Sequence, residues 1–527
     1  MNGSFSIEQY QSTQAIVSPF MKFLGNSKSH SALHLNLAAN LTGSAWTMLV
    51  QVACIPLYIK FMGIEVYGLI GFYLMLQATL QILDLGLSPT MNREMARYSV
   101  HPEKAEEARD LVRTLEVGYW FIGISVGIAL VAASPWVATH WIRASSVPVR
   151  SVRQAVALMG VLAVFQWPVS FYQGGLTGLR KQVLFNLLRI IASTLSNGGA
   201  VLVLWLVSRT IQAFFLWMVA SNAVMVVLWT VFLWKSLPSA NRAPQFKFDL
   251  IRNIGRFAAG MSGIATFSLV LGQADKIVLS KVLSLTVFGY YAIAGIFGTG
   301  LVMIVSSVFN TVFPQFSALV AQSDEEAIIC LYHKATQLML LLIVPLTSVL
   351  AFFSVEILQL WTRNPDVAHN AGPIATILVF AAAINGLMFL PFTLQLAYGW
   401  TGIGLKITIF LTIAVVPAIW FMAKHYGPVG AAFVCLGLQV VNMLVGVPLT
   451  HRRLLRHEMT KWFLQDIGPP LAGSVLVVGV ARMLITSPMS PLATLAFLLA
   501  VLLAALAVAT SLAPQIRGSL LTKLSSI

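Results

Sequence analysis

The chain carries a succession of about fourteen apolar stretches, each roughly 20 residues long and separated by short, often basic loops, from near Leu35 to near Ala513. A hydrocarbon core about 30 Å thick is crossed by roughly 20 helical residues, so the pattern predicts an all-α polytopic membrane protein of about 14 transmembrane helices. Its function must be sought within the bilayer. Composition agrees: 58% of residues are hydrophobic and 10% charged. A soluble domain carries about a quarter charged residues, which leaves no room for one of ordinary size.

The net charge of +15 would suggest nucleic acid in a soluble protein, but its placement points elsewhere. With the spans alternating from a cytoplasmic N-terminus, roughly 22 of the 33 Lys and Arg fall in inside loops and tails and about 9 in outside loops. The basic excess is a topology signal, placing both termini in the cytoplasm, and no nucleic-acid partner is expected. The polar residues 1–34 lack a cleavage-site pattern and read as a cytoplasmic extension. Cys54, Cys330 and Cys435 lie far apart without CxxC spacing, so neither a disulfide framework nor a metal site is expected.

The most hydrophilic interior stretch, 236–256, carries Arg242, Lys247, Arg252 and Arg256 and divides the chain near its middle. After it the pattern restarts. Tyr67 and Gly68 of IPLYIKFMGIEVYG register with Phe288 and Gly289 of KIVLSKVLSLTVFG, and Lys60 then falls on Lys281 and Val66 on Val287. A one-residue shift lays Trp141 and Arg143 over Trp361 and Arg363, and Pro168 comes close to Pro391. The common offset predicts two six-helix lobes, 35–235 and 257–450, separated by the 236–256 linker. Six is even, so both lobes enter the membrane from one side and form a parallel repeat with a central cavity between them. A basic loop and two further spans occupy 451–527 and have no counterpart in the repeat.

Polar residues recur at helical spacing in five spans: Asn40, Ser44, Thr47 and Gln51; Gln77, Gln81, Asp84 and Ser88; Gln166, Ser170, Gln173 and Thr177; Asn186, Arg189, Ser193 and Asn197; Ser262, Thr266, Gln273, Lys276 and Ser280. Such residues are costly against lipid and should face protein or water. Interhelical hydrogen bonds of about 1 kcal/mol each would explain any one of them; five stripes favour a hydrated route. Asp84, Arg189, Asp275 and Lys276 add charge at a cost of about 2.5–3.5 kcal/mol each at mid-membrane, with Glu356 near a span end. Either they form interhelical ion pairs or they serve a substrate or coupling ion.

The segment LNLAANLTGSAWTMLVQVACIPLYIKFMGIEVYGLIGFYLMLQATLQILDLGLSPTMNREMAR resembles the start of Wzx-type polysaccharide flippases, the polysaccharide branch of the multidrug/oligosaccharidyl-lipid/polysaccharide superfamily. QADKIVLSKVLSLTVFGYYAIA, VFPQFSAL and YGPVGAAF extend the resemblance over roughly residues 35–450. It implies a V-shaped pair of lobes that alternates between inward-open and outward-open states in the inner membrane. The implied substrate is an oligosaccharide on undecaprenyl diphosphate, bound for O-antigen, capsule or exopolysaccharide. Membrane lipids, a polysaccharide polymerase and chain-length machinery are the implied partners.

Such a substrate needs a polar, cationic cavity open sideways to lipid. Arg189 and Lys276 are the candidates for the diphosphate, with Arg93 and Arg97 as entrance charges; Arg offers a bidentate fork and Lys a point charge. Asn40, Gln51, Gln81, Asn186 and Gln273 are the candidates to meet the sugars. A cation-coupled exporter of small amphipathic compounds is the alternative, for which Asp84 and Asp275 would be the coupling carboxylates for H⁺ or Na⁺. No cofactor is called for. A membrane glycosyltransferase or polymerase fits less well, because no outer loop exceeds about 20 residues and no GxGxxG, P-loop or metal-ligand cluster occurs. The chain reads as a transporter, not an enzyme.

Overall fold

A computed structural model of the protein describes residues 27–84, 86–249, 269–400, 402–485 and 489–517. Among them regular structure is helical, apart from one bridge between Arg143 and Ser284. The first half comprises α1 (Ser27–Met62), α2 (Ile64–Leu80), the short amphipathic α3 (Leu87–Tyr98), α4 (Ala105–Trp141), α5 (Val149–Gly178), α6 (Gln182–Leu206) and α7 (Ile211–Ser236). The second comprises α8 (269–282), α9 (Leu285–Gln322), α10 (Glu325–Phe352), the short α11 (Ser354–Thr362), α12 (Pro365–Ala397) and α13 (Gly402–Leu454). Two more, α14 (Met459–Leu484) and α15 (Pro491–Ser511), complete the chain.

Twelve of the described helices are long and apolar enough to cross a membrane. The apolar stretch of α13 runs 47 residues, about 70 Å as a helix, more than twice the hydrocarbon thickness. It breaks at Gly427, whose φ of 63° and ψ of −149° no other residue type adopts readily, and so provides two crossings end to end. The seventh expected span is described only as α8; Ser262 and Thr266 of its stripe, and Arg252 and Arg256 of the linker, lie outside the described residues. The second span is shorter than its hydropathy suggests. Its α-helix ends at Leu80, a 3₁₀ turn covers Gln81–Asp84, and left-handed Gly86 (φ 76°) redirects the chain into α3.

The apolar core shows how the two halves join. At the end of the bundle that carries Gly63, one cluster is shared: Tyr58, Tyr67 and Ile142 from the first half pack with Leu285, Phe288 and Leu358 from the second. At the opposite end, which carries the linker, the halves have separate clusters, one around Phe171 and Trp229 and the other around Phe316 and Tyr332. The halves are therefore fused at the Gly63 end and part toward the linker end.

The sequence repeat explains the fused end. A methyl on Gly289 would sit 2.7 Å from the Ile64 carbonyl oxygen, and one on Gly68 would collide with the carbonyl of Leu285, the repeat counterpart of Ile64. On the same two helices a methyl on Gly71 would lie 2.8 Å from the Cβ of Ala292, again its counterpart. Two helices approach this closely only where glycine removes the side chain. The tryptophans are reciprocal as well. Trp141 donates to Ser280 Oγ (3.0 Å) in the second half, and Trp361 donates to the Val52 carbonyl (3.1 Å) in the first. The Leu285 amide donates to the Arg143 carbonyl (2.8 Å) and Lys281 lies over the Trp141 ring.

The start of the linker belongs to the first half. Arg242 bonds Glu106 (2.8 Å) and Asp110 (2.5 Å), Lys247 Nζ lies 2.7 Å from Asp110, and the Gln245 amide donates to the same carboxylate. Asp110 is buried, and donors from Arg242, Gln245 and Lys247 of this one segment satisfy it.

Candidate functional site

A cavity of about 570 Å³ opens in the first half, on the side facing α8. α2 and its 3₁₀ turn contribute Tyr73, Gln77, Gln81 and Asp84; α5 contributes Gln166, Trp167, Ser170 and Gln173; α7 contributes Asn222. Among the described residues Leu269 of α8 is the second half's contribution to the lining. Two of the polar stripes thus converge: residues four and three apart on α5 share one face, and the 3₁₀ turn carries Gln81 and Asp84 onto the same opening.

Glycines set this geometry. A methyl on Gly174 would lie 2.7 Å from the Ser88 carbonyl, and Gly178, one turn on, is equally tight against Asn92. α3 therefore lies backbone to backbone on α5 and brings Ser88 to the cavity wall. Asp84 accepts from the Ser88 amide (3.2 Å), the Ser88 hydroxyl (2.7 Å) and the Tyr119 hydroxyl (2.6 Å). Its carboxylate sits at the N-terminal turn of α3, where exposed N–H groups favour negative charge. No cation pairs with it among the described residues.

The other candidates lie elsewhere. Asn186 is buried and donates to Asn40 Oδ1 (2.5 Å), and a methyl on Gly43 would collide with its amide. Both asparagines are thus in the seam between α1 and α6, not on the cavity, because each faces the other helix. Arg189 extends this seam by donating to Ser44 Oγ (3.1 Å). Ser44 shares a helix face with Met48 and Gln51. Met48 reaches Gly300 of α9 and Gln51 is exposed, so this face turns toward the second half.

On α8, Leu269, Gln273 and Lys276 share one face. Lys276 lies about 10 Å along the helix axis from the cavity residue Leu269, and its ammonium donates to Gln273 Oε1 (3.3 Å). Asp275, about 100° around the helix, points instead into the second half and accepts from the buried Tyr291 hydroxyl (2.7 Å). Arg93 and Arg97 are exposed on α3 and both reach Glu94, at 3.7 and 3.0 Å, so they stand partly neutralised at the linker end.

Ion pairing was one reading of the intramembrane charges. Among the described residues Asp84, Arg189, Asp275 and Lys276 form none; each is held by neutral groups instead. Glu356 does pair, with Arg482 of α14. Sequence spacing did not single out Tyr73, Trp167 or Asn222. The first two read as ordinary core aromatics, and the third is one polar residue in the apolar run of α7.

A sequence profile of a family described as polysaccharide biosynthesis protein matches residues 60–362. Over 398 residues the chain is 20% identical to a Shigella flexneri protein named "Putative O-antigen transporter", covering 75% of this chain and 92% of that protein. The fold superposes on the lipid II flippase MurJ in an inward closed conformation with a TM-score of 0.65 at 14% identity, covering 92% of this chain and 99% of that one. An inward-facing multidrug resistance MATE family transporter of the MOP superfamily superposes with a TM-score of 0.66 at 13% identity, over 77% and 95% of the two chains. Since the profile spans more than half its length, the chain belongs to the polysaccharide biosynthesis protein family, as a multi-pass membrane protein whose fold is that of the MurJ and MATE structures.

Proposed function

We propose that the protein flips a lipid-linked oligosaccharide, carried on undecaprenyl diphosphate, from the cytoplasmic to the outer leaflet of the inner membrane by alternating access. The observation that carries this reading is a cavity of mixed lining, with the side chains of Gln77, Gln81, Asp84, Gln166, Gln173 and Asn222 set among apolar residues, in a bundle whose halves are joined at one end. A glycan headgroup crossing the bilayer needs water and hydrogen-bond partners, while its lipid tail needs a side opening. Lys276 on α8 and Arg189 on the α1–α6 seam supply positive charge for the diphosphate, neither of them in an ion pair among the described residues. The linker end, which also carries the basic loop 451–461, is the cytoplasmic side in this reading. Polymerase and chain-length proteins would receive the product. Asp84 and Asp275 are where an H⁺ or Na⁺ couple would act, each beside a tyrosine hydroxyl.

The test is export of surface polysaccharide in cells whose own copy has been replaced. Arg189→Ala and Lys276→Ala should each reduce export at least about tenfold while leaving the protein at normal abundance, since neither removal strands a partner charge. Arg189→Lys should keep partial activity, as charge survives and the bidentate fork is lost. Normal export by the double alanine variant would remove both residues from the mechanism.

A further inference from the structure

The cavity's chemistry constrains the glycan more narrowly than the family does. Its described polar lining is dominated by carboxamides: Gln77, Gln81, Gln166, Gln173 and Asn222. Each offers two donors and an acceptor, the pattern that hydroxyl and acetamido groups of sugars satisfy from either side. Ser88 and Ser170 add hydroxyls, and the largely buried Tyr73 and Trp167 back the wall. The volume, about 570 Å³, lies within the range of about 300–1,000 Å³ usual for small-molecule sites.

Asp84 is the one carboxylic acid among the described lining residues, and none of them is a Lys, Arg or His. The nearest cation on the facing wall, Lys276, stands about 10 Å further along α8. Sugar and diphosphate would therefore be received at separate places, the former at a site whose described lining carries no basic side chain.

We infer that this transporter selects an uncharged oligosaccharide, built of neutral or N-acylated sugars, and rejects one bearing a uronic acid or other acidic sugar at the end that enters the cavity. The inference rests on the flippase reading above and deepens it. A glycan carboxylate placed here would lose water, meet no basic side chain among the described lining residues and face the carboxyl group of Asp84, so the penalty is built against the wrong substrate rather than only in favour of the right one. A neutral glycan meets carboxamides whose hydrogen bonds replace those it gave up to water.

The experiment uses purified full-length protein in proteoliposomes, loaded with one of two synthetic probes. One is an undecaprenyl-diphosphate trisaccharide of neutral and N-acetylated hexoses; the other differs only in a terminal hexuronic acid. Translocation is read by accessibility to a membrane-impermeant glycosidase. The neutral probe should move at least about tenfold faster. Asp84→Asn should narrow the gap, and Gln81→Arg, at an exposed position with room for a longer side chain, should reverse it. Equal rates for the two probes, or a preference unchanged in both variants, would overturn the inference and leave the flippase reading standing. Movement of neither probe would instead overturn that reading, and this inference with it.

Discussion

Oxidation of a Gly71→Cys, Ala292→Cys pair, in a chain whose three native cysteines are replaced, should abolish transport completely, and reduction should restore it. The two positions are repeat counterparts at the seam where the halves are fused, and a Cβ introduced at position 71 would lie 2.8 Å from that of residue 292. A disulfide requires about 3.5–4.5 Å, so a parting of about 1 Å brings the pair into bonding geometry. In the proposed alternating-access cycle this seam must open, because the two halves share one apolar cluster there. The reduced pair controls for any disturbance caused by the substitutions themselves. Full activity of the oxidised, cross-linked protein would show that the seam does not open during transport.

Asp466→Ala should cost about 3–5 kcal/mol and remove most of the protein from the membrane. Asp466 is 2% exposed and accepts from His333 Nδ1 and from Gln337 Nε2 (2.7 Å). His333 Nε2 lies 3.1 Å from Glu458, whose carboxyl burial would push up but Lys461 and His333 together hold below its ordinary range. Gln337 also accepts from the Gln515 amide (3.0 Å), and Trp462 donates to Thr336 (3.0 Å). One face of α10 thus anchors both the start of α14 and the segment after α15. Removing the central carboxylate strands a buried histidine beside a single remaining acid. Protein abundance and thermal midpoint are the readouts, and both should fall, unlike in Arg189→Ala, where only export falls. Wild-type abundance with normal export would show that the network does not hold α14 and α15 in place.

Much of the fold was legible in the sequence because bilayer thickness fixes span length. The repeat was legible too: the offset that pairs Gly68 with Gly289 pairs residues that meet across the seam. Hydropathy could not show that α2 gives way to a 3₁₀ turn at Gln81, since apolar content continues through Leu83 and Leu85. Nor could it show why α14 and α15 dock on α10, as Asp466 and His333 are 133 residues apart and no local pattern links them. The site was legible in part. Periodicity put Gln81 and Asp84 on a polar face, and that face does line the cavity. The same periodicity marked Asn40 and Asn186, which meet each other in a helix seam. A helical stripe identifies a face, not the neighbour to which it turns.

The most direct test of the central claim is translocation of an undecaprenyl-diphosphate oligosaccharide by the purified protein in proteoliposomes, measured beside the Arg189→Ala, Lys276→Ala double variant. The account predicts transfer of the glycan to the opposite leaflet by the wild-type protein and loss of that transfer in the variant at equal reconstitution. A wild-type protein that leaves the lipid-linked glycan in place, yet drives uptake of a small amphipathic cation against an H⁺ or Na⁺ gradient, would contradict it.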